Sequence, residues 1–207
     1  MASALPTPYF WARPNGVPRG GIVVIMEGNG MGWQLLRVCE RLAGEGYLVI
    51  APDVYHRFAD GDGDWQSAFN SLSSEDALSD IRACIATLRE NGAARVGITG
   101  FCMGGRLSYL ASISDLELDA AAPFYGAGIE SLLGKPSCPV RLFFGDHDPY
   151  IADEALAKIR AHHGDDVVVY AGATHGFMRD GTEDYAPESA ADAWKQLLAF
   201  FEGNVAR

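Results

Sequence analysis

Short apolar runs alternate along the chain with stretches whose apolar residues recur at helical spacing. Short apolar runs bounded by turn residues indicate strands that are buried on both faces. Apolar side chains at i, i+3, i+4 and i+7 indicate helices that cover such a sheet. The predicted strands are 9–12, 21–26, 47–51, 96–99, 119–124, 140–144 and 167–170, and the predicted helices are 33–43, 74–90, 106–112, 152–162 and 187–201. This alternation predicts one α/β domain: a doubly wound, mostly parallel sheet with helices on both faces and no large cap domain.

Two segments show neither the short apolar runs of strands nor the apolar spacing of helices. Residues 1–20 contain four prolines and are predicted to form an extended arm over the surface, with strand 9–12 at the edge of the sheet. Residues 58–73 are rich in Gly, Asp and Ser and are predicted to be a loop, a candidate flap over an active site. The acidic residues in this loop lack the spacing of a calcium-binding loop. Ser74 is predicted to cap the helix that follows.

Composition narrows the classes of function. The chain has 207 residues and a net charge of −11, which disfavours nucleic acids and anionic membranes as partners. No apolar run approaches the ~18 residues of a membrane span, and the first residues lack a signal-peptide pattern, so a cytoplasmic protein is expected. The four cysteines form no C-x-x-C pair, so no metal site is predicted. We expect a small-molecule substrate and a monomer or weak homodimer.

One cysteine lies in a motif that carries chemistry. Gly100-Phe101-Cys102-Met103-Gly104 joins a predicted strand to a predicted helix as G-x-C-x-G, the sulfur counterpart of the G-x-S-x-G nucleophile elbow. Such a turn needs small neighbours, because the chain reverses within a few residues. The N-terminus of the following helix favours thiolate over thiol. The alternative interpretation is a glycine-rich junction with an inert buried cysteine.

Further along the chain, two more strands end in residues that would complete a catalytic triad. The order Cys102, Asp148, His175 is the nucleophile, acid, base order of α/β-hydrolases. Asp148 is preferred to Asp146 as the acid, because Asp146 lies closer to the strand and is expected to cap the turn. His56 could touch substrate at the sheet edge; the remaining histidines (His147, His162 and His163) are weaker candidates for the base.

The same edge of the sheet supplies candidates for an oxyanion hole. The backbone N–H of Met103 follows the nucleophile, and the backbone N–H of Gly28 lies in the loop after strand 21–26. Glu27 precedes this glycine-rich loop, at an edge where open α/β sheets bind ligands.

These residues together resemble the dienelactone hydrolase family (carboxymethylenebutenolidases). The resemblance spans about residues 20–202 and rests on Glu27 and four short motifs: 52–55 (PDVY), 100–105 (GFCMGG), 145–148 (GDHD) and 174–177 (THGF). It implies an α/β-hydrolase fold and a cofactor-free hydrolase of lactones or activated esters, with a Cys102-His175-Asp148 triad. It also implies that Glu27 holds the resting thiol and helps to generate the thiolate once substrate displaces it.

The chain departs from this family at the site for the substrate carboxylate. Well-studied members use an arginine from the segment before helix 74–90, and this chain has no basic residue between Arg57 and Arg82. This difference favours neutral esters or lactones as substrates. The candidate substrate-binding residues are Tyr55, Arg57, Arg106, Tyr125 and Phe177. Two alternatives to the hydrolase remain open: a Cys/Glu redox or glyoxalase-like enzyme, and a non-catalytic binding protein on a hydrolase fold.

Overall fold

The chain folds around a seven-stranded sheet. The computed structural model describes residues 7–58 and 64–206. The strands are β1 (Tyr9–Ala12), β2 (Gly21–Ile25), β3 (Leu48–Pro52), β4 (Val96–Phe101), β5 (Ala120–Phe124), β6 (Leu142–Gly145) and β7 (Val167–Tyr170). The helices are α1 (Trp33–Gly44), α2 (Trp65–Ser71), α3 (Ser74–Glu90), α4 (Met103–Ser112), α5 (Asp153–His163) and α6 (Pro187–Asn204).

The sheet is parallel except at one edge, as the alternation of strands and helices predicts. Its strand order is β1-β3-β2-β4-β5-β6-β7, and only β1 pairs antiparallel with its neighbour. Every residue of β2 to β6 is buried, and Thr99 of β4, whose hydroxyl donates to the Ala122 carbonyl, is the one polar side chain among them. None of the helices in the described part of the chain is both long enough and apolar enough to cross a membrane.

The strand order places a binding edge between β2 and β4. The chain leaves β2 toward β1 and leaves β4 toward β7, so the connections from these adjacent strands run in opposite directions. Right-handed crossovers then put α1 on one face of the sheet and α3 and α4 on the other. The carboxyl ends of two such strands form a crevice, and ligands of open α/β folds bind there. Glu27 and Cys102 follow these two strand ends.

The prediction of a loop at residues 58–73 is wrong for the second half of this segment. Helix α2 lies there and is capped by Asp64, whose carboxylate accepts a hydrogen bond from the Ser67 N–H. Trp65, Ala68 and Phe69 have the i, i+3, i+4 spacing of a helix, but Ala68 is the one buried residue of α2, and the Gly, Asp and Ser residues around them favour a loop. Residues 59–63 lie outside the described residues, and the candidate flap falls partly on them.

Two other predictions concern the ends of elements. Ser73, not Ser74, caps α3, because its hydroxyl accepts a hydrogen bond from the Asp76 N–H at 3.0 Å. An apolar pattern that starts further along the helix cannot distinguish adjacent serines. The edge strand at 9–12 is present as predicted, while residues 1–6 of the predicted arm lie outside the described part of the chain.

A buried ion pair fixes the turn that follows β3. Asp80 of α3 is fully buried and accepts two hydrogen bonds from the Arg57 guanidinium, at 2.7 and 2.9 Å. The His56 ring nitrogen lies 3.3 Å from the same carboxylate. The carboxylate therefore ties residues 56–58 to the middle of α3.

Removing the charge of Asp80 should destabilise the protein. Asp80→Asn leaves Arg57 facing a neutral amide in a partly buried position, and we expect the free energy of unfolding to fall by about 2–4 kcal/mol. Urea denaturation measures this loss. The matched control is Asp115→Asn, which removes an exposed partner of Arg82 and should cause no measurable change. Equal effects of the two substitutions would contradict the structural role of the buried pair.

Candidate active site

Cys102 lies at a strained turn between β4 and α4. Its backbone has φ 54° and ψ −115°, a conformation that residues with a side chain rarely adopt. Two backbone hydrogen bonds hold it: the Cys102 N–H donates to the Phe124 carbonyl, and the Cys102 carbonyl accepts from the Arg106 N–H, both at 3.1 Å. The thiol is therefore presented above the sheet at the N-terminal end of α4.

The glycines of the motif are required by close backbone packing. A Cβ on Gly100 would collide with the Gly104 carbonyl, and a Cβ on Gly104 would collide with the Ile25 carbonyl. A Cβ on Gly105 would collide with the carbonyl of Phe124. The first turn of α4 thus lies directly on the ends of β2, β4 and β5, which explains why the motif has glycine on both sides of the cysteine.

His175 and Asp148 form a buried pair beside this turn. The His175 Nδ1 donates to Asp148 Oδ2 at 2.8 Å, and the two residues are 5% and 6% exposed. The other carboxylate oxygen of Asp148 accepts a hydrogen bond from the Tyr150 N–H. Rings of Tyr125 and Tyr150 pack edge-on against the imidazole, with centroids 5.1 and 4.7 Å away. The ring orientation is fixed, which leaves Nε2 as the nitrogen available for chemistry.

The charges around His175 favour its protonated form. Burial lowers the pKa of His175, but its interactions with Asp148 and Cys102 raise it, and the pKa is about 9. The imidazole is therefore protonated at neutral pH and interacts with both the carboxylate and the sulfur. Asp146 supports a neighbouring turn and not its own, because its carboxylate accepts a hydrogen bond from the Gly172 N–H in the turn after β7.

Glu27 is held by a residue that the sequence interpretation missed. Its two carboxylate oxygens accept from the Arg179 Nε at 3.0 and 2.9 Å, and Oε1 also accepts from the Tyr125 hydroxyl at 3.3 Å. Within the described residues the carboxylate makes no hydrogen bond to Cys102, the contact that the resemblance implied, because a guanidinium is a far stronger donor than a thiol. Although burial lowers the pKa of Arg179, Glu27 and other groups raise it above its ordinary value.

Tyr55 connects the two candidate oxyanion-hole residues. Its hydroxyl donates to the Gly28 carbonyl at 2.8 Å and lies 3.2 Å from the sulfur of Met103. The Tyr55 N–H in turn donates to the side chain of Asp53. Burial, reinforced by the charges of Cys102 and Asp53, raises the pKa of Tyr55 to about 12, so the phenol remains a donor at neutral pH.

Three of the candidate substrate-binding residues have other roles. Arg57 is occupied by the buried carboxylate of Asp80. Phe177 is fully buried against Tyr125 and Tyr170, so it supports the floor of the site and contributes no surface to a ligand. Tyr125 is 1% exposed, and its hydroxyl is directed to Glu27. The sequence places these residues at the correct edge of the sheet but does not determine which way their side chains point.

A cleft of about 320 Å³ opens beside the nucleophile. Cys102, Met103 and Arg106 form one of its sides. Apolar side chains from α2, α4 and the intervening loops form much of the rest: Phe69, Leu72, Leu107 and Ala127. Among the residues that the structure describes, no group of three His, Cys, Asp or Glu side chains could hold a metal ion. The arrangement is suited to acyl transfer to sulfur.

Comparisons with known proteins relate the whole described fold to one family. The sequence model of the "Dienelactone hydrolase family" matches residues 8–204. A "Putative carboxymethylenebutenolidase" from Synechocystis sp. is 34% identical, with 87% of this chain and 85% of that protein covered. A protein of the same description from Salmonella typhimurium is 30% identical, with 94% and 82% covered. The crystal structure of a "Putative Dienelactone Hydrolase" from Klebsiella pneumoniae superposes with a TM-score of 0.82 at 30% identity, with 94% and 92% of the two chains covered.

The raised pKa of His175 predicts a pH dependence of stability. The folded protein holds a proton on His175 up to about pH 9, whereas an unfolded histidine loses it near pH 6.5. The contribution of protonated His175 to the free energy of unfolding is therefore fully present below about pH 6.5 and is lost as the pH rises toward 9. Urea denaturation should show the difference in unfolding free energy between wild type and His175→Gln shrinking over this range. The exposed His147→Gln serves as the control, and a constant difference for His175→Gln would contradict the assignment.

Proposed function

Because the chain belongs to the dienelactone hydrolase family, we propose that this hydrolase cleaves lactones or activated carboxylic esters through an acyl-thioester on Cys102. The observation that carries the proposal is the buried His175–Asp148 hydrogen bond beside a cysteine held in a strained elbow. A thiol, an imidazole and a carboxylate in this order provide a nucleophile, its acid–base partner and the group that orients that partner.

In the proposed reaction, attack starts once substrate has displaced Glu27 from the thiol, when His175 is an imidazolium and Cys102 a thiolate. The sulfur attacks the carbonyl carbon, and the tetrahedral intermediate collapses as the carbon–oxygen bond to the alcohol breaks. His175 gives its proton to the departing oxygen and becomes neutral. It then takes a proton from water as the water attacks the thioester, and cleavage of the carbon–sulfur bond restores the thiolate. Asp148 keeps Nδ1 protonated throughout, so that Nε2 carries each proton.

The negative charge of each intermediate falls on the former carbonyl oxygen. The backbone N–H groups of Met103 and Gly28 are proposed to bind this oxygen, since they lie on either side of the crevice between β2 and β4. An oxyanion hole is effective only if its donors are held in place before the reaction. The 2.8 Å hydrogen bond from Tyr55 to the Gly28 carbonyl supports this role, because it fixes the peptide group next to the proposed donor.

Glu27 is proposed to exchange partners during the cycle. The family resemblance implies that its carboxylate holds the resting thiol and leaves when substrate enters. The bifurcated hydrogen bond from the Arg179 Nε supports such an exchange, since it offers the carboxylate a charge-paired position away from the sulfur. Arg179 thus acts as a positioning residue for Glu27.

Replacing the nucleophile should abolish turnover. Wild type is expected to give a burst of p-nitrophenol from p-nitrophenyl acetate, and Cys102→Ala should lose both the burst and the steady state. His175→Ala should cost nearly as much, on the order of 10³-fold or more in kcat, because the members of a triad act as a unit. Cys138→Ala removes a half-buried cysteine outside the site and serves as the control. Unchanged hydrolysis by Cys102→Ala would refute the mechanism.

Removing one hydroxyl should test the oxyanion hole separately from the thiolate. Tyr55→Phe deletes the donor to the Gly28 carbonyl, and we expect kcat for ester hydrolysis to fall about 10- to 100-fold with little change in KM. Alkylation of Cys102 by iodoacetamide forms no oxyanion, so its rate should remain that of wild type. His175→Ala should slow both reactions.

Tyr170→Phe is the matched control for this experiment. It removes a hydroxyl that hydrogen-bonds to Asp192, outside the proposed site, and should affect neither hydrolysis nor alkylation. If Tyr55→Phe slowed alkylation as much as hydrolysis, Tyr55 would act on the thiolate or on folding, and its assignment to the oxyanion hole would be wrong.

A further inference from the structure

We propose that the cleft beside Cys102 binds an aromatic ring in the acid component of the substrate, and that Phe69 and Trp65 of α2 hold this ring. The inference rests on the proposed function and names its substrate class: esters of carboxylic acids that carry an aryl group on a short carbon chain. Helix α2 lies in the segment between Arg57 and Arg82, which has no basic residue, so this segment suits a neutral ring better than an anionic group.

Two aromatic side chains of α2 lie next to each other at the active site. Trp65 and Phe69 are four residues apart, so they lie on the same side of the helix. A Cβ on Gly28 would lie 3.4 Å from Phe69 Cδ2 and 3.8 Å from Trp65 Cζ3. Both rings therefore lie against the peptide that carries one of the proposed oxyanion-hole donors, close to the position of the reacting carbonyl.

The same two rings are left partly uncovered. Trp65 is 50% exposed and Phe69 is 44% exposed, and Ala68 is the one buried residue of α2. Apolar surface is unfavourable in water, and where it gathers at a cleft it marks a binding surface. A ligand ring in the cleft would cover the aromatic surface that α2 leaves open.

The cleft connects the aromatic surface of α2 to the nucleophile. Phe69 lines it together with Cys102 and Met103. Leu72 and Leu107 supply further apolar walls. An acyl group bonded to the sulfur therefore extends from the nucleophile into an apolar space that has an aromatic wall.

The volume of the cleft suits a ring on a short linker. An apolar cavity of about 150 Å³ is large enough to bind benzene. The cleft measures about 320 Å³, so it has room for a phenyl ring and for the carbon chain that joins the ring to the thioester. A simple acetyl group would leave most of this space unfilled.

The surroundings of the cleft favour an aromatic ring over a saturated one. Offset and edge-to-face contacts between aromatic rings stabilise a complex beyond the burial of their area. Arg106 also lines the cleft, and a guanidinium stacks favourably on the face of a ring. A cyclohexyl group gains neither contact, although it is more hydrophobic than a phenyl group.

The position of His175 assigns the cleft to the acid component and not to the alcohol. In the proposed reaction His175 must reach the leaving oxygen, yet it is not among the described residues that line the cleft. The leaving alcohol therefore faces His175, and the acyl group occupies the cleft beside Phe69.

Two substrates with the same leaving group test the proposal: p-nitrophenyl 3-phenylpropanoate and p-nitrophenyl 3-cyclohexylpropanoate. In wild type kcat/KM should be about 3- to 10-fold higher for the phenyl compound, which is the strength of aromatic contacts. Phe69→Leu should bring this ratio to about one or below, and Trp65→Leu should lower it in the same direction. Both variants keep an apolar side chain on a helix whose one buried residue is Ala68, so both should fold.

Tyr9→Leu is the matched control for the two substitutions on α2. It removes an aromatic ring of similar exposure, 48%, from the edge strand β1 and should keep the wild-type ratio. A wild-type preference for the cyclohexyl compound, or a ratio that neither substitution on α2 lowers, would overturn the proposal, because the cleft would then select acyl groups by hydrophobicity alone.

A binding measurement separates this proposal from the proposed function. The N-methyl amides of the two acids imitate the substrates, and calorimetry with Cys102→Ala compares their affinities without turnover. The phenyl amide should bind more tightly, and Phe69→Leu in the same background should remove that preference. If wild type hydrolysed neither ester, the proposed function would fail while the amides still tested the cleft. Cys102-dependent hydrolysis of both esters without any preference for the phenyl ring would overturn the aromatic subsite alone.

Discussion

The strained turn at Cys102 is the constraint on which the rest of the site depends. A non-glycine residue in such a conformation costs on the order of 1–3 kcal/mol, so it persists only where the surroundings impose it. Here they are backbone atoms: the carbonyls of Ile25, Gly104 and Phe124 lie so close to the glycines of the turn that no side chain fits between them. The position of the sulfur is thus determined by the main chain of β2, β5 and the first turn of α4, and flexible side chains have little influence on it.

The electrostatics of the site follow a pattern of local pairing. The imidazolium of His175 faces Asp148, and the guanidinium of Arg179 faces Glu27. Burying a charge costs free energy unless an opposite charge lies beside it. Each pair therefore allows a cation to lie near the sulfur at a modest desolvation cost. Arg106 differs in that no carboxylate of the described residues neutralises it.

The sequence predicts the components of the site better than their contacts. The carboxyl ends of parallel strands meet at one edge, so strand endings alone bring Glu27, Cys102, Asp148 and His175 together. Arg179 was missed because the loop after β7 has no period from which a side-chain direction could be derived. The same limit explains why Phe177 was expected to contact substrate and is instead buried. Helix α2 was missed because the Gly, Asp and Ser residues around it favour a loop, although Trp65, Ala68 and Phe69 have helical spacing.

The Arg57–Asp80 ion pair links helix α3 to the residues beside the active site. Pairs of this kind seldom add net stability compared with apolar residues of the same size, so a positional role explains them better. Asp80 holds Arg57, and the turn that includes Arg57 directly follows Tyr55, whose N–H is held by Asp53. Tyr55 then reaches across to the Gly28 carbonyl in the loop after β2. Through these contacts helix α3 restrains the loop beside the nucleophile. A displacement of about one ångström in that loop would weaken an oxyanion hole.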